Sequence, residues 1–525
     1  MRAPSVRTDH VASRPRSTRS VFWTAFALLA MLATLWSLAS PLFSIPDENA
    51  HVTKAVAQLR GEVIGESIPG RAHLIVDLPE GYEYNHSAMC FLFVSELPAK
   101  CLVEYGDGTG ESEFATWVGT YNPIYYYLVG WPSLVFENGA VGVYAMRILS
   151  ALLGSLLLAW AFQAGLASRS ARWMPLGLAF LATPMVVYLI GSVNPNGVEI
   201  AAGAALWVSL LRLMQRHGPA LGQGGSSLST WYLWVIVTVS SVLLVNARAI
   251  GPLWLVVIVG SCLIASGWSA TKELFLRKAS YPWLAVIAAG SVFSGVWTLA
   301  TGGAAGQAGA NDAPLVGAPF LVGFAAMLRR TGDFVQQAIG FFGWLDTPLP
   351  GVTYILFYVI LGVLVLLVLA GTDRRGWLTM GGILALSVLL PAVVQGLQVS
   401  RTGLIWQGRY GLVIYLAIPI VAAWILSGRA GSRLDFLSVR FAWIGACALG
   451  IYGLLAYGYV MRRYVTGLGA PLDELFVNTP WQPPLGWIPL TIAYTVTTVA
   501  LVWWVGRLAA TLAEPRTSVD VDFRV

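Results

Sequence analysis

Asp47 and Glu48 stand side by side where the first long apolar segment ends, and His51 follows four residues after Asp47. On a helix that spacing puts Asp47 and His51 on one face. A carboxylate there can accept the proton of an attacking hydroxyl, with Glu48 as a second acid and the imidazole of His51 orienting the base. The same pair could join a divalent-cation site, but neither a His-Glu-x-x-His motif nor a Cys/His ligand spacing is present, so no metal is assigned. Pro46 before two acids is also ordinary helix-start chemistry, since carboxylates favour a helix N-terminus. Base and helix cap are both open from these residues alone.

Four further polar groups interrupt apolar sequence: Asn194-Pro195-Asn196 with Glu199, Trp344-Leu345-Asp346, Gln407-Gly408-Arg409-Tyr410, and Arg462-Arg463-Tyr464. Guanidinium forks match phosphate oxygens in pairs and stay charged at any working pH. Arg409, beside Tyr410 and after Gln407, leads the candidates for a phosphate ligand, with Arg401, Arg462, Arg463 and Arg147 behind it. Gln407, Tyr410, Asn194, Asn196, Glu199, Trp344 and Asp346 are the expected substrate contacts, through amide and carboxylate hydrogen bonds and aromatic stacking. Each has a plainer reading: Asn-Pro turns, an aromatic belt for Trp344 and for Tyr125, Tyr126 and Tyr127, and ion pairs of arginine with Asp333, Asp346, Asp473 or Glu474.

The elements that must position these residues are membrane helices. Of 525 residues 57% are hydrophobic and only 11% charged, far below the roughly 25% charged of soluble proteins, which excludes disordered, disulfide-framework and nucleic-acid-binding classes. A span needs about 20 apolar residues. Twelve segments qualify: 21–43, 141–164, 173–191, 197–214, 231–247, 251–268, 283–301, 352–370, 377–398, 411–426, 441–461 and 487–508. The sequence predicts an all-α polytopic membrane protein, with residues 21–508 as the transmembrane domain. Residues 121–136, short and holding Pro123 and Pro132, read as an interfacial segment instead.

Cytoplasmic loops collect Lys and Arg. Twelve spans with both termini inside put 20 of the 32 Lys and Arg on the cytoplasmic side, including a basic tail at 1–20 and a C-terminal tail at 509–525. The first extracytoplasmic loop, 44–140 with its interfacial helices, is acidic: residues 44–120 hold 12 Asp and Glu against 4 Lys and Arg. A second large outer loop covers 302–350. In this topology every polar group named above falls at an outer helix end, as do Arg248, Arg329 and Arg330, with Arg147 about two turns inside. Arginines on the translocated side run against the usual bias, which points to a local function. Cys90 and Cys101 share the first loop, where they form either a disulfide or two free thiols; Cys262 and Cys447 read as apolar packing residues within spans.

A span followed at once by an acidic pair, a long first outer loop and the stretch Tyr121-Asn122-Pro123-Ile124-Tyr125-Tyr126-Tyr127 resembles the GT-C superfamily of membrane glycosyltransferases. Residues 46–51, 194–199, 342–350, 407–410 and 462–464 together look more closely like a family of predicted actinobacterial membrane proteins of unknown function. The superfamily likeness implies a GT-C-like fold and an inverting hexosyl or pentosyl transfer. The donor would be a polyprenyl-phosphate sugar, the acceptor an extracytoplasmic glycan, lipid or protein, and the base a first-loop acid, Asp47 by position. It also implies a multi-pass protein of the cytoplasmic membrane, surrounded by its lipids, that works in envelope biogenesis with its site facing outward. Where the superfamily has a His-Pro-Pro-Leu-like stretch, this chain has Tyr121-Asn122-Pro123-Ile124. A transporter or flippase of lipid-linked saccharides is the alternative, expected to carry polar residues through the whole bilayer depth; a non-catalytic assembly scaffold is the third, and it would tolerate loss of Asp47.

Overall fold

The computed structural model describes residues 17–67, 73–84, 89–101, 110–168, 170–215, 227–302, 313–428 and 437–513. The expected tails up to residue 16 and from residue 514, and residues 303–312 of the second outer loop, lie outside the described residues. In chain order the elements are α1 (Thr18–Ala39), α2 (Glu48–Gln58), β1 (Glu66–Ser67), β2 (Leu74–Pro79), β3 (Glu111–Thr116), α3 (Ile124–Val129), α4 (Gly139–Gly165), α5 (Met174–Ala179), α6 (Pro184–Ile190), α7 (Pro195–Gln215), α8 (Thr230–Ala247), α9 (Gly251–Ser266) and α10 (Trp268–Leu276). There follow α11 (Tyr281–Ala300), α12 (Phe320–Arg329), α13 (Thr331–Gly340), β4 (Phe341–Phe342), β5 (Thr347–Pro348), α14 (Gly351–Gly371), α15 (Arg374–Thr402), α16 (Leu412–Tyr415), α17 (Ala417–Ser427), α18 (Leu437–Val465), α19 (Glu474–Val477) and α20 (Trp487–Ala513). The chain is an all-α polytopic membrane protein.

Among the described residues ten helical segments are long and apolar enough to cross a membrane. The other two of the twelve expected segments are helical but depart from a continuous span. Residues 174–190 break at Thr183, because Pro184 opens α6 and lacks the N–H that would continue the ladder. The sixth is α9, which stops at Gly267 (φ 84°) after 16 residues, a rise of about 24 Å. The interfacial stretch holds only α3 and a short 3-10 turn at Trp131–Leu134, too short to cross, with Tyr127, Leu128, Trp131, Leu134 and Val135 exposed. Not anticipated was a three-stranded antiparallel sheet, β1-β2-β3, within the first loop.

Long-range polar contacts sort the helix ends into two faces. On the first-loop face Ser37 Oγ donates to Gly191 O at 2.6 Å, Asn122 Nδ2 to Asn246 Oδ1 at 2.7 Å, and Trp297 Nε1 to Thr120 O at 2.9 Å. On the opposite face Arg212 donates to Ala164 O and Gly165 O, and Trp173 N donates to Ser427 Oγ. There too the Arg375 guanidinium occupies the space a Cβ at Gly267 would need. The end of α7 thereby meets the end of α4, the start of α5 meets the end of α17, and the end of α9 meets the start of α15.

α7 is the axis of the bundle. Its most apolar stretch is wholly buried, because the run Ala201-Ala202-Gly203-Ala204-Ala205 lets neighbouring backbones approach closely. α11, by contrast, buries almost nothing but Ser294 and faces lipid. Cys90 and Cys101 are bridged, with Cα atoms 6.1 Å apart. Cys262 is buried as expected, whereas Cys447 is exposed on the lipid side of α18, so it packs against no protein core.

Candidate functional site

Residues 41–48 turn the chain from α1 into α2 through two non-glycine residues in the left-handed region, Phe43 (φ 64°) and Asp47 (φ 65°). Left-handed backbone is uncommon outside glycine, although Asp tolerates it better than most. The turn aims the two acids in different directions. Asp47 precedes α2 but makes no side-chain cap bond to it, so the helix-cap reading does not describe this residue.

Glu48 points inward. Its Oε1 accepts from Arg147 Nε at 2.7 Å and Val193 N at 3.1 Å, and its Oε2 from Phe43 N at 3.1 Å and from Arg147 Nη2. Arg147 spends its remaining donors on Ser37 O, Ser40 O and Pro41 O, at 2.7 to 2.9 Å. Both side chains are fully buried. All five guanidinium donors and all four acceptor positions are thereby filled. This corrects two expectations: Glu48 has no lone pair free to take a proton, and Arg147 has no N–H left for a phosphate.

Asp47 faces the other way. Its Oδ2 lies 2.5 Å from Arg409 Nη2, with the Asp47 side chain 27% exposed and Arg409 5%. Arg409 also donates to Pro46 O at 3.2 Å, while its Nε has no hydrogen-bond partner. Arg409 reaches Asp47 because a 3-10 turn at Gly408–Gly411 starts the 408–427 crossing, and Gly408 admits the α13 backbone at Phe334 O. The Tyr410 ring carries two guanidiniums, Arg409 at 5.3 Å and Arg248 at 4.1 Å. Arg248 in turn pairs with Glu199 of α7 at 3.4 Å.

The electrostatics follow from burial beside these charges. Desolvation pushes the Asp47 carboxyl up, but the guanidiniums of Arg409 and Arg248 outweigh it and hold the group below the ordinary carboxylate range. Burial and the neighbouring cations Arg409, Arg248 and Lys54 push His51 down to about 3 against the pull of Asp47, leaving the imidazole neutral. Its Nδ1 lies 2.8 Å from Tyr126 Oη, and Tyr121 meets its ring edge-on at 5.6 Å. Burial raises both tyrosines above their usual range.

Several polar atoms around this cluster are buried without a partner: Asn196 Oδ1, Glu199 Oε1, Gln407 Oε1 and Arg409 Nε. Buried polar atoms ordinarily find partners, and each orphan has a desolvation cost of about 1–3 kcal/mol. Asn196, Glu199 and Arg409 belong to the contacts that run from Asp47 to α7, and Gln407 stands two residues before Arg409. Asn194 and Asn196 serve the cluster differently. Asn194 ties Pro46 O and Asn196 N into the turn, and Asn196 Nδ2 donates to Glu199 Oε2 at 3.0 Å.

Of the remaining expected residues some are engaged elsewhere and some lie apart, and Arg462 keeps a buried Nε without a partner. Asp346 and Arg463 form a buried pair at 3.0 Å. Arg463 further donates to Thr347 Oγ1 and to Phe91 O, Val94 O and Leu97 O of the disulfide loop. With Nε and Nη2 taken up and Nη1 bonded to Leu97 O, Arg463 organises the loop. Arg462 donates to Leu468 O and Ala470 O, which ties it to the segment after α18. Arg401 is exposed at the end of α15 and no described residue links it to the cluster. Trp344 donates to Phe43 O at 2.9 Å and meets exposed Phe93 at 5.6 Å, an aromatic platform beside the Asp47 turn.

Sequence reasoning placed Arg248 among the outer arginines and Tyr121 in the interfacial stretch but gave neither a site role, and it gave Lys54 none. Arg248 had a visible signal, a charge just past an apolar span on the face of Arg409; its pairing with Glu199 had none. Among the described residues no group of three or more His, Cys, Asp or Glu could hold a metal ion.

Fold and site together define a polytopic helical membrane protein with an under-coordinated carboxylate and two arginines at one membrane face. A family model described as "Predicted membrane protein (DUF2142)" matches residues 29–418, and the chain belongs to that family. The matched span takes in Asp47, His51, Glu199, Arg248 and Arg409 and ends before Arg462 and Arg463. No curated protein matches the chain.

Proposed function

We propose that the protein is a GT-C-type glycosyltransferase that moves a sugar from a polyprenyl-phosphate donor to an extracytoplasmic acceptor, with inversion at the anomeric carbon. One observation carries this reading: Asp47, the only acid of the 47–48 pair with open acceptor positions, shares Arg409 with a network whose other buried polar atoms lack partners. A donor phosphate competes with Asp47 for the guanidinium. Once Arg409 turns to phosphate, the carboxylate loses the charge that holds its pKa down and becomes a stronger base. The acceptor hydroxyl then gives its proton to Asp47 while its oxygen bonds to the anomeric carbon. The bond from that carbon to the phosphate oxygen breaks, and its electron pair leaves with the lipid phosphate. Charge grows on phosphate in that step, where Arg409 and Arg248 stabilise it.

The positive-inside bias supports an outward-facing site in the cytoplasmic membrane. A broken helix at mid-depth is a transporter feature, but the 174–190 break holds no charged residue and Thr183 Oγ1 closes on Phe180 O. The test is purified protein with a labelled polyprenyl-phosphate sugar and an acceptor mixture. Release of free polyprenyl phosphate is expected, and its absence with Asp47→Asn. Movement of the labelled lipid across proteoliposomes with the phosphate ester intact would replace transfer by transport.

A further inference from the structure

A groove of about 550 Å³ lies at the opposite membrane face, far from Asp47, lined by Leu263, Ile264, Trp268, Thr271, Arg375 and Leu378 together with Gly267 and Arg374. Its walls are the end of α9, the start of α10 and the start of α15. Gly267 makes the corner in the left-handed region at φ 84°, and having no Cβ it leaves room for the Arg375 guanidinium to lie against the turn. Substituting it would both strain the turn and displace the arginine.

Three independent features say what fits. The charge is one-sided: Arg374 and Arg375 are exposed and form no ion pair with a described residue, Lys272 and Lys278 lie on the adjoining segment, and the nearby acids are used locally. Asp373 Oδ1 caps α15 through Gly376 N, and Glu273 pairs with Arg277. The depth is that of the headgroups, because Trp231, Trp268, Trp283 and Trp377 open α8, α10, α11 and α15 on this face, Trp268 being 78% exposed; tryptophan concentrates at the membrane–water boundary. The apolar wall also continues outward, with Ile264 and Leu378 both exposed on the helix sides that lipid covers.

We infer that this groove is a binding site for an anionic glycerophospholipid, its phosphate held by Arg374 and Arg375 and its acyl chains lying along Leu263, Ile264 and Leu378. Guanidiniums set at headgroup depth bind phosphate by charge-assisted bonds, and the wall accepts chains that a free phosphate lacks. The site is independent of the glycosyl-transfer reading, since no residue is shared.

The experiment is native mass spectrometry of detergent-purified protein given dioleoyl phosphatidylglycerol, dioleoyl phosphatidylcholine or inorganic phosphate. The wild type should retain phosphatidylglycerol over phosphatidylcholine by about tenfold or more, and Arg374→Ala/Arg375→Ala should lose that preference. Inorganic phosphate at millimolar concentration should not displace the lipid. Leu378→Trp, which fills the groove and keeps both arginines, should lower retention of phosphatidylglycerol even where the double variant fails to fold. Equal retention of the two lipids by the wild type, unchanged preference in both variants, or displacement by phosphate alone would overturn the assignment.

Discussion

Asp47 and Glu48 are neighbours in the chain, each is paired with an arginine from a distant helix, and yet they belong to different parts of the molecule. Glu48 and Arg147 form a sealed clasp in which every donor and acceptor is filled by the partner or by the backbone of residues 37–43 and 193. Asp47 accepts a single bond from Arg409, keeps part of its surface open and sits among orphaned polar atoms. Burial alone does not separate them, because Arg409 is nearly as buried as Arg147. What separates them is coordination: a saturated pair holds the fold, and an unsaturated one has capacity left for a ligand.

The sharpest way to break this comparison is to remove one partner from each pair. Arg147→Ala leaves Glu48 as an unpaired buried charge, a loss of about 3–5 kcal/mol, so little folded protein should survive solubilisation. A melting temperature within a degree or two of wild type would show that the clasp is not structural. Asp47→Asn should do the reverse. Asn tolerates the left-handed backbone at position 47, so stability should hold while turnover falls by roughly 10² to 10⁴-fold; Glu48→Gln should lower stability first. Since Asp47 lies below the ordinary carboxylate range and acts ionised, kcat/KM of the free enzyme should stay level as pH falls toward about 4 and decline only below it. An acid limb near pH 6 would point to another base.

A smaller effect sharpens the assignment of phosphate ligands. Arg409→Ala and Arg248→Ala should each weaken binding of polyprenyl phosphate by about ten- to a hundredfold, with Arg462→Ala and Arg401→Ala near wild type. The opposite ranking, read by retention of a labelled lipid phosphate, would move the phosphate toward the end of α18.

The smallest effect concerns Lys54, whose Nζ donates to Val63 O at 2.7 Å and Gly119 O at 2.6 Å and has no acidic partner among the described residues. Burial pushes its pKa down to about 7. Between pH 7 and the ordinary lysine value the unfolded chain holds the proton and the native protein does not, so stability rises with pH across that window. Melting temperature should climb modestly from pH 7 to 9 and Lys54→Met should flatten the climb; a fall over that range would show a charged, paired lysine.

Much of the frame was legible in the chain. Apolar length set the helical segments, and the departures at Thr183 and Gly267 are where proline and a left-handed glycine end helices locally. The first-loop sheet escaped notice because β1 is two residues long and β2 and β3 alternate only partly. The polar motifs were legible as a set sharing one face, since the alternation of spans brings their helix ends together whatever the packing. Their partners were not legible. Arg147 and Arg409 look alike as charges in or beside apolar helices near one face, and only Arg147 reaches the carbonyls of Ser37, Ser40 and Pro41.

The sequence by itself determined that this is a many-helix membrane protein with acids, amides and arginines collected on one face, because hydropathy and the order of spans are local properties that survive any arrangement of the bundle. Which acid is architecture and which is free for chemistry was decided only by tertiary structure. Coordination is a count of atoms arriving mostly from segments distant in the chain, and a one-residue turn in the left-handed region sends Asp47 and Glu48 to opposite sides of that count.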